Sequence, residues 1–205
     1  MPKPHDDADE GTHDRILRVA AEIFARKGYH GTGVAEIGDA AGIKRGALYY
    51  HIGSKEELLY DLSKQHIDEA LARGRAVVER ELDPVGKLRA LAIEHVQTLA
   101  ARRAEVTVVT REWHALTGER SRKFRKLRNE YENLFQGVLE EGVEQGVFRS
   151  ADKVTLFGIM GVLNWTYVWF DGEHGELTAE VVAERLTEMI VYGELLREEP
   201  AIARS

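Results

Sequence analysis

The chain has no cysteine in 205 residues, so a disulfide framework and a thiolate metal site are both excluded. No apolar run reaches transmembrane length, and the opening MPKPHDDADE is acidic and polar where a signal peptide would be basic and then apolar. There is no strand alternation to carry a Rossmann unit, no glycine-rich phosphate loop after a strand and no GxSxG elbow. Among His30, His51, His66, His95, His114 and His174 no pair has the i, i+4 spacing of a metal-ligating helix. The expectation is a cytoplasmic, all-α protein with no membrane partner, no metal, no cofactor and no catalytic residues.

A net charge of −7 argues against a nucleic-acid partner until it is divided along the chain. Residues 1–10 carry one Lys against four acids and read as a disordered tail. Residues 11–55 carry seven Lys/Arg against four acids, a local excess of +3, and the remaining body is acidic. A basic head on an acidic body turns the head toward a phosphate backbone.

Within that head, GVAEIGDAAGIKRGALYYHIGSK, residues 33–55, reads as two short helices around a tight turn. Gly42 suits the turn, and Gly38 leaves room for the second helix to cross the first. Val34, Ile37, Ala41, Ile43 and Leu48 form one apolar seam, which leaves Lys44, Arg45, Ala47, Tyr49, Tyr50 and His51 facing outward or partly so. No acid falls between Gly42 and Ser54, as a helix entering a major groove requires. Arg45 is placed to read a base, most simply guanine through O6 and N7. Lys55, Tyr49 and His51 are placed to hold phosphates.

The string Thr32-Gly33-Val34, Ile37, Ala41-Gly42-Ile43, Gly46-Ala47-Leu48-Tyr49-Tyr50-His51 and Ser54-Lys55-Glu56-Glu57-Leu58 resembles the DNA-binding domain of the tetracycline-repressor (TetR) family. The likeness runs from Arg15 through Leu59. It departs at Gly33, where the family more often has a capping Ser or Thr. The resemblance implies a three-helix DNA-binding domain at 11–54 and a larger helical ligand-binding and dimerisation domain at 55–205. The candidate DNA contacts are Thr32, Gly33, Lys44, Arg45, Gly46, Ala47, Tyr49, Tyr50, His51 and Lys55, and the expected partner is double-stranded operator DNA.

The rest of the chain reads as helices with legible ends. Thr12 is placed as the cap of a helix to Lys27, backed by Ile16, Ala20, Ile23 and Phe24, with Gly28 past its end. Ser54 and Glu57 suggest a capping box for a helix from Lys55 to about Arg73. Asp83-Pro84 opens a helix to about 102, residues 104–116 form a shorter one, and a long one runs from about Ser121 to Gln145. The acid pair Glu56-Glu57 reads as a solvated face, and so does the basic cluster Arg120 to Lys126, with service to an anionic ligand as its alternative. Residues 152–170 are apolar nearly all round, so that helix needs cover on two sides, and 178–198 offers a second apolar face. The simplest second cover is another copy of the same pair, a homodimer through 152–170 and 178–198 with Leu163 and Ile190 in the interface.

Aromatic residues beyond what small helices need, Trp113, His114, Tyr131, Phe135, Trp165 and Tyr167, together with Asn164 as a polar anchor, point to a ligand site, although each taken singly also fits plain core or dimer packing. The family resemblance favours a small-molecule inducer here. Glu141-Gly142 to Phe148-Arg149 and Asn164-Trp165 look like the branch that senses acyl-coenzyme A (acyl-CoA) thioesters, with phosphates near Arg122, Arg125 or Arg128. The expected function is therefore a dimeric, ligand-responsive repressor. The alternative is a helical carrier or enzyme whose head only resembles a helix-turn-helix, and a gel shift on the protein's own promoter separates the two.

Overall fold

Helix-forming sequence with clear stop signals yields a chain of helices. The computed structural model describes residues 11–170 and 177–194, without the side chains of Arg45 and Glu194. The acidic tail at 1–10 lies outside the described residues. The helices are α1 (Thr12–Lys27), α2 (Val34–Ala40), α3 (Arg45–Ile52), α4 (Lys55–Val78), α5 (Pro84–Ala101), α6 (Arg103–Glu112), a 3-10 turn (Trp113–Ala115), α7 (Gly118–Glu144), α8 (Lys153–Trp169) and α9 (Ala179–Glu194).

Their ends follow local chemistry. Asp83 Oδ1 accepts from the Gly86 amide at 2.7 Å, and Asp152 Oδ1 accepts from the Thr155 amide at 2.8 Å, so each carboxylate covers an otherwise unpaired first-turn donor. Ser54 Oγ does the same for the Glu57 amide at 3.0 Å. Thr12, however, is not a cap. It is the first helical residue, and Gly11 is the N-cap, its carbonyl accepting from the Arg15 amide at 3.0 Å. Gly118 does not close the helix before it but opens α7, three residues earlier than its apolar pattern indicates.

The helices form two compact units. The first joins residues up to Asp68 with Arg102–Leu127, and the second joins Glu69–Ala101 with the residues from Arg128 on. The division falls inside α4 and inside α7. In the first unit α6 packs on α1, which buries Ile16, Leu17, Val19, Ala20, Ile23 and Phe24, while α6 buries Val106 and Val108. Part of the apolar surface of α1 is thus covered by α6, from beyond residue 54.

In the second unit α5 packs on α8 and α9, and its core includes Leu91, Val96, Phe135, Leu139, Phe148 and Leu163. The end of α7 is fastened where the amides of Val147 and Phe148 both donate to the Gly142 carbonyl, at 2.8 and 3.1 Å. That fold-back lays the Phe148 ring on Gly142, where a Cβ would fall 2.0 Å from Phe148 Cδ2.

Helix α8 explains its all-round apolarity by having two different faces. Leu156, Ile159, Met160, Leu163 and Thr166 are buried in its own unit. Val154, Phe157, Trp165, Val168 and Trp169 are exposed, Val154 by 82% and Trp165 by 62%, and Gly158 and Gly161 lie between them on the same stripe with open space above. Leu163 is fully buried and Ile190 nearly so, which takes both out of the dimer interface expected from the sequence. A charge at either would disrupt the unit's own core.

Gly142→Ala is expected to cost about 1–3 kcal/mol, because the buried Phe148 ring must move to admit the methyl group. Chemical denaturation checks it: a lower midpoint with an unchanged m-value is expected, and an unchanged midpoint would mean the ring relaxes freely.

Candidate functional site

The turn between α2 and α3 is built on two glycines. Gly42 has φ +68°, a left-handed conformation that glycine adopts without strain, and the Ile43 amide donates to the Gly38 carbonyl at 2.8 Å. A Cβ on Gly38 would sit 3.0 Å from both the Ile43 carbonyl oxygen and Leu48 Cδ2. With the two helices in such contact, Ile37, Ala41 and Leu48 are buried. The opposite side of α3 presents Gly46, Ala47, Tyr49 and Tyr50, with Lys44 as its exposed N-cap and His51 half-buried. Tyr50 is 87% exposed and meets the His51 ring edge-on at 5.5 Å. Arg45 begins the helix; its side chain lies outside the described residues. Gly33 is the exposed N-cap of α2.

Two candidate contacts have other duties. Thr32 is buried, and its hydroxyl donates to the Gly28 carbonyl at 2.9 Å. Lys55 Nζ donates to the carbonyls of Tyr29 at 2.9 Å and Thr32 at 3.0 Å and lies 4.4 Å from the centre of the Tyr29 ring. Two of the ammonium's three hydrogens thus hold the loop between α1 and α2 against the start of α4.

The acids beside it lie at the surface, as expected, but both have partners. Glu56 Oε1 accepts from the Thr117 amide at 2.8 Å and its hydroxyl at 3.0 Å, which holds the Glu56 carboxyl below its usual range. Glu57 pairs with Arg120 at 3.1 Å. The start of α4 therefore caps the start of α7. Partners 61 residues apart leave no local pattern in a sequence.

The aromatic candidates separate into two groups. Trp113 and His114 belong to the first unit, with rings 3.9 Å apart and the Arg125 guanidinium 5.6 Å from the Trp113 ring. Arg122 lies in the same unit, whereas Arg128 belongs to the second and pairs with Glu132 at 3.3 Å. In the second unit Tyr131 and Asn164 meet His95, considered from sequence only as a metal ligand and not as part of a ligand site, and Phe135 packs behind Tyr131. His95 Nδ1 is 3.0 Å from the Tyr131 hydroxyl, the two rings stack at 6.0 Å, and Phe135 meets Tyr131 edge-on at 5.7 Å. Burial pulls the imidazole down to about 4, against a smaller opposing pull from Asn164. Burial also pushes the Tyr131 hydroxyl up, so both groups are neutral near pH 7. Trp165 faces outward on α8, and Tyr167 is half-buried. The signal for His95 was its place on the apolar face of α5, beside Leu91, Ala92, Val96 and Leu99.

An acid-free recognition helix joined to a helical body with a buried polar cluster defines the class: a helix-turn-helix transcriptional regulator. Residues 16–62 match the model of bacterial regulatory proteins of the tetR family, and residues 81–193 match that of the tetracyclin repressor-like C-terminal domain. The chain belongs to the TetR family. It is 32% identical over 196 residues to the HTH-type transcriptional repressor KstR2 of Rhodococcus jostii strain RHA1, covering 94% of this chain and 96% of that one. Its fold is similar to the structure of the ketosteroid transcriptional regulator KstR2 of Mycobacterium tuberculosis, with TM-score 0.85, 26% identity and coverage of 92% and 97%. It is also similar to AibR solved with isovaleryl coenzyme A and operator DNA, with TM-score 0.79, 28% identity and coverage of 87% and 97%.

Lys55→Met should lower stability by about 1–3 kcal/mol in the absence of DNA, since two partly buried carbonyls lose a charged donor. Denaturation of the free protein checks this; unchanged stability would show that the ammonium does not hold the loop. A second expectation concerns acid. His95 in the unfolded chain takes a proton near pH 6.5, while the folded imidazole stays neutral down to about 4. Its contribution is therefore complete above 6.5 and is lost as pH falls from 6.5 toward 4. His95→Leu should flatten the stability–pH curve in that window, by up to about one proton's slope; an identical slope would place the imidazole in water.

Proposed function

We propose that the protein is a homodimeric repressor that binds a palindromic operator through α3 and leaves it on binding an acyl-CoA-type ligand. The observation that carries the first half is the outward side of α3, which has small residues, Lys44 and two tyrosines and no acid. Residues 11–54 serve as the DNA-binding domain, with Arg45 on a base and Lys44, Tyr49 and His51 on phosphates. Thr32 contributes by shaping the loop, and Lys55 offers the phosphate its backbone amide at the start of α4 and its one remaining ammonium hydrogen.

Residues 55–205 serve for ligand binding and dimerisation. The exposed stripe of α8, with Met189 and Tyr192 on α9, supports the pairing of α8 and α9 with a second copy, because so much contiguous apolar surface on two neighbouring helices marks an interface. The ligand reading rests on Tyr131 and Asn164 at His95, with Phe135 behind Tyr131, and on the similarity to a regulator solved with isovaleryl coenzyme A. Among the described residues no helix is long and apolar enough to cross a membrane, which agrees with work on DNA in the cytoplasm.

A gel shift on promoter DNA, titrated with acyl-CoA compounds and with the matching free acids, tests the whole reading. Release by the thioesters is expected; release only by uncharged hydrophobic compounds would replace the thioester with a general hydrophobic inducer. Arg45→Ala should cost roughly 1–3 kcal/mol at one base pair, whereas equal loss on operator and scrambled DNA would remove Arg45 from base reading. Phe157→Asp should give a monomer by sedimentation and weaken operator binding roughly 10²-fold through the loss of two-site attachment. A monomer that bound with full affinity would contradict the dimer.

A further inference from the structure

We infer that His95 is the anchor that recognises a neutral carbonyl oxygen of the inducer, donating to it from Nε2–H. The inference rests on the ligand-responsive reading above and names the group within that ligand which the protein grips.

Three helices bring the parts together, His95 from α5, Tyr131 from α7 and Asn164 from α8. Gly74 on α4 leaves room beside them, since a Cβ there would fall 2.6 Å from Leu134 Cδ1 and 3.7 Å from Tyr131 Cε2. The 3.0 Å contact between His95 Nδ1 and the Tyr131 hydroxyl needs one hydrogen. An imidazole nitrogen is a better acceptor than a phenolic oxygen, so the phenol donates and the ring hydrogen resides on Nε2. Nε2 is buried and makes no hydrogen bond of good geometry among the described residues; the Asn164 side chain beside the ring offers only a poorly aligned one, which raises the imidazole a little against the effect of burial. A buried donor in this state is destabilising, and an acceptor delivered by a ligand removes that penalty.

The surroundings select the kind of acceptor. Arg73, the nearby cation, sits 3.7 Å from Glu69 and 4.0 Å from Glu94, so its charge is offset within the unit. A carboxylate would enter an apolar site with no unmatched positive charge to receive it. A thioester or ketone oxygen is a neutral acceptor and meets no such penalty. Phe135, edge-on to the Tyr131 ring, offers the rest of the ligand apolar contact.

The first test needs no ligand. Nuclear magnetic resonance of 15N-histidine-labelled protein, with Tyr131→Phe to assign the coupled ring, should show His95 neutral at pH 7 with its hydrogen on Nε2. A hydrogen on Nδ1 would overturn the proposal. The second test compares an acyl-CoA with the thioether of equal chain length, which lacks only the carbonyl oxygen, by titration calorimetry on the intact protein. The thioester should bind roughly tenfold more tightly or better, the effect of one buried hydrogen bond. In Tyr131→Phe and His95→Leu that preference should collapse, with operator binding as the check that each variant is folded. Equal affinity of the wild type for thioester and thioether overturns the anchor while leaving the acyl-CoA reading in place. If neither compound binds or releases DNA, the acyl-CoA reading falls, and the tautomer measurement still decides whether the donor exists. A ring hydrogen on Nε2 together with a bound water that no carbonyl compound displaces, seen in a crystal soaked with a small ketone, would make it a hydrated structural histidine only and end the proposal.

Discussion

The distance of closest approach between α2 and α3 governs the DNA-binding head. With only a hydrogen at Gly38, the Ile43 carbonyl and the Leu48 side chain come within 3.0 Å of the place a Cβ would fill. That contact fixes which side of α3 is turned inward, and so which side chains remain for DNA. A recognition helix reads bases only if its tilt and rotation are set by something other than DNA. Here they are set by van der Waals contact on one side and by the left-handed turn at Gly42 on the other. Lys55 then fastens the loop before α2 to the helix after α3, so the segment is held at both ends.

This head was legible in sequence because its determinants are local. Gly38, Gly42, the apolar seam and the acid-free interval all lie within about twenty residues, and each acts on near neighbours. The ends of α5, α8 and α9 were legible for the same reason: Asp83, Asp152 and Thr178 cap helices that begin one residue later. What escaped depends on partners far along the chain. Glu56 and Glu57 read as a solvated pair, and nothing near them in sequence points to Thr117 and Arg120. Leu163 and Phe157 are equally apolar in a helix without an obvious polar side, and only the packing of α5 shows which one faces inward. His95 was hidden by its type, because an isolated histidine on an apolar face gives no hint of whether a tyrosine waits opposite.

The two regions also use charge differently. In the first unit, ionised groups do structural work at the surface: Lys55 on carbonyls, Glu56 on an amide and hydroxyl, Glu57 on Arg120. In the second, the buried polar groups at the aromatic cluster are neutral, with burial suppressing both the protonation of His95 and the ionisation of Tyr131. A neutral cluster keeps its hydrogen-bonding pattern across the physiological pH range. A site of that kind responds to the shape and polarity of what enters it and is insensitive to the proton concentration around it.

The discontinuity of the first unit has a consequence for the order in which the protein comes into being. Helix α1 is among the first segments to leave the ribosome, yet α6, which packs on it, follows about ninety residues later, and the Glu56 cap must wait for Thr117. The recognition helix is therefore synthesised long before its support is complete. Nascent chains shorter than about 127 residues carry the DNA-reading surface on an unfinished base. Until α6 and Thr117 have been made, α1 lacks part of its cover and Glu56 lacks its partner.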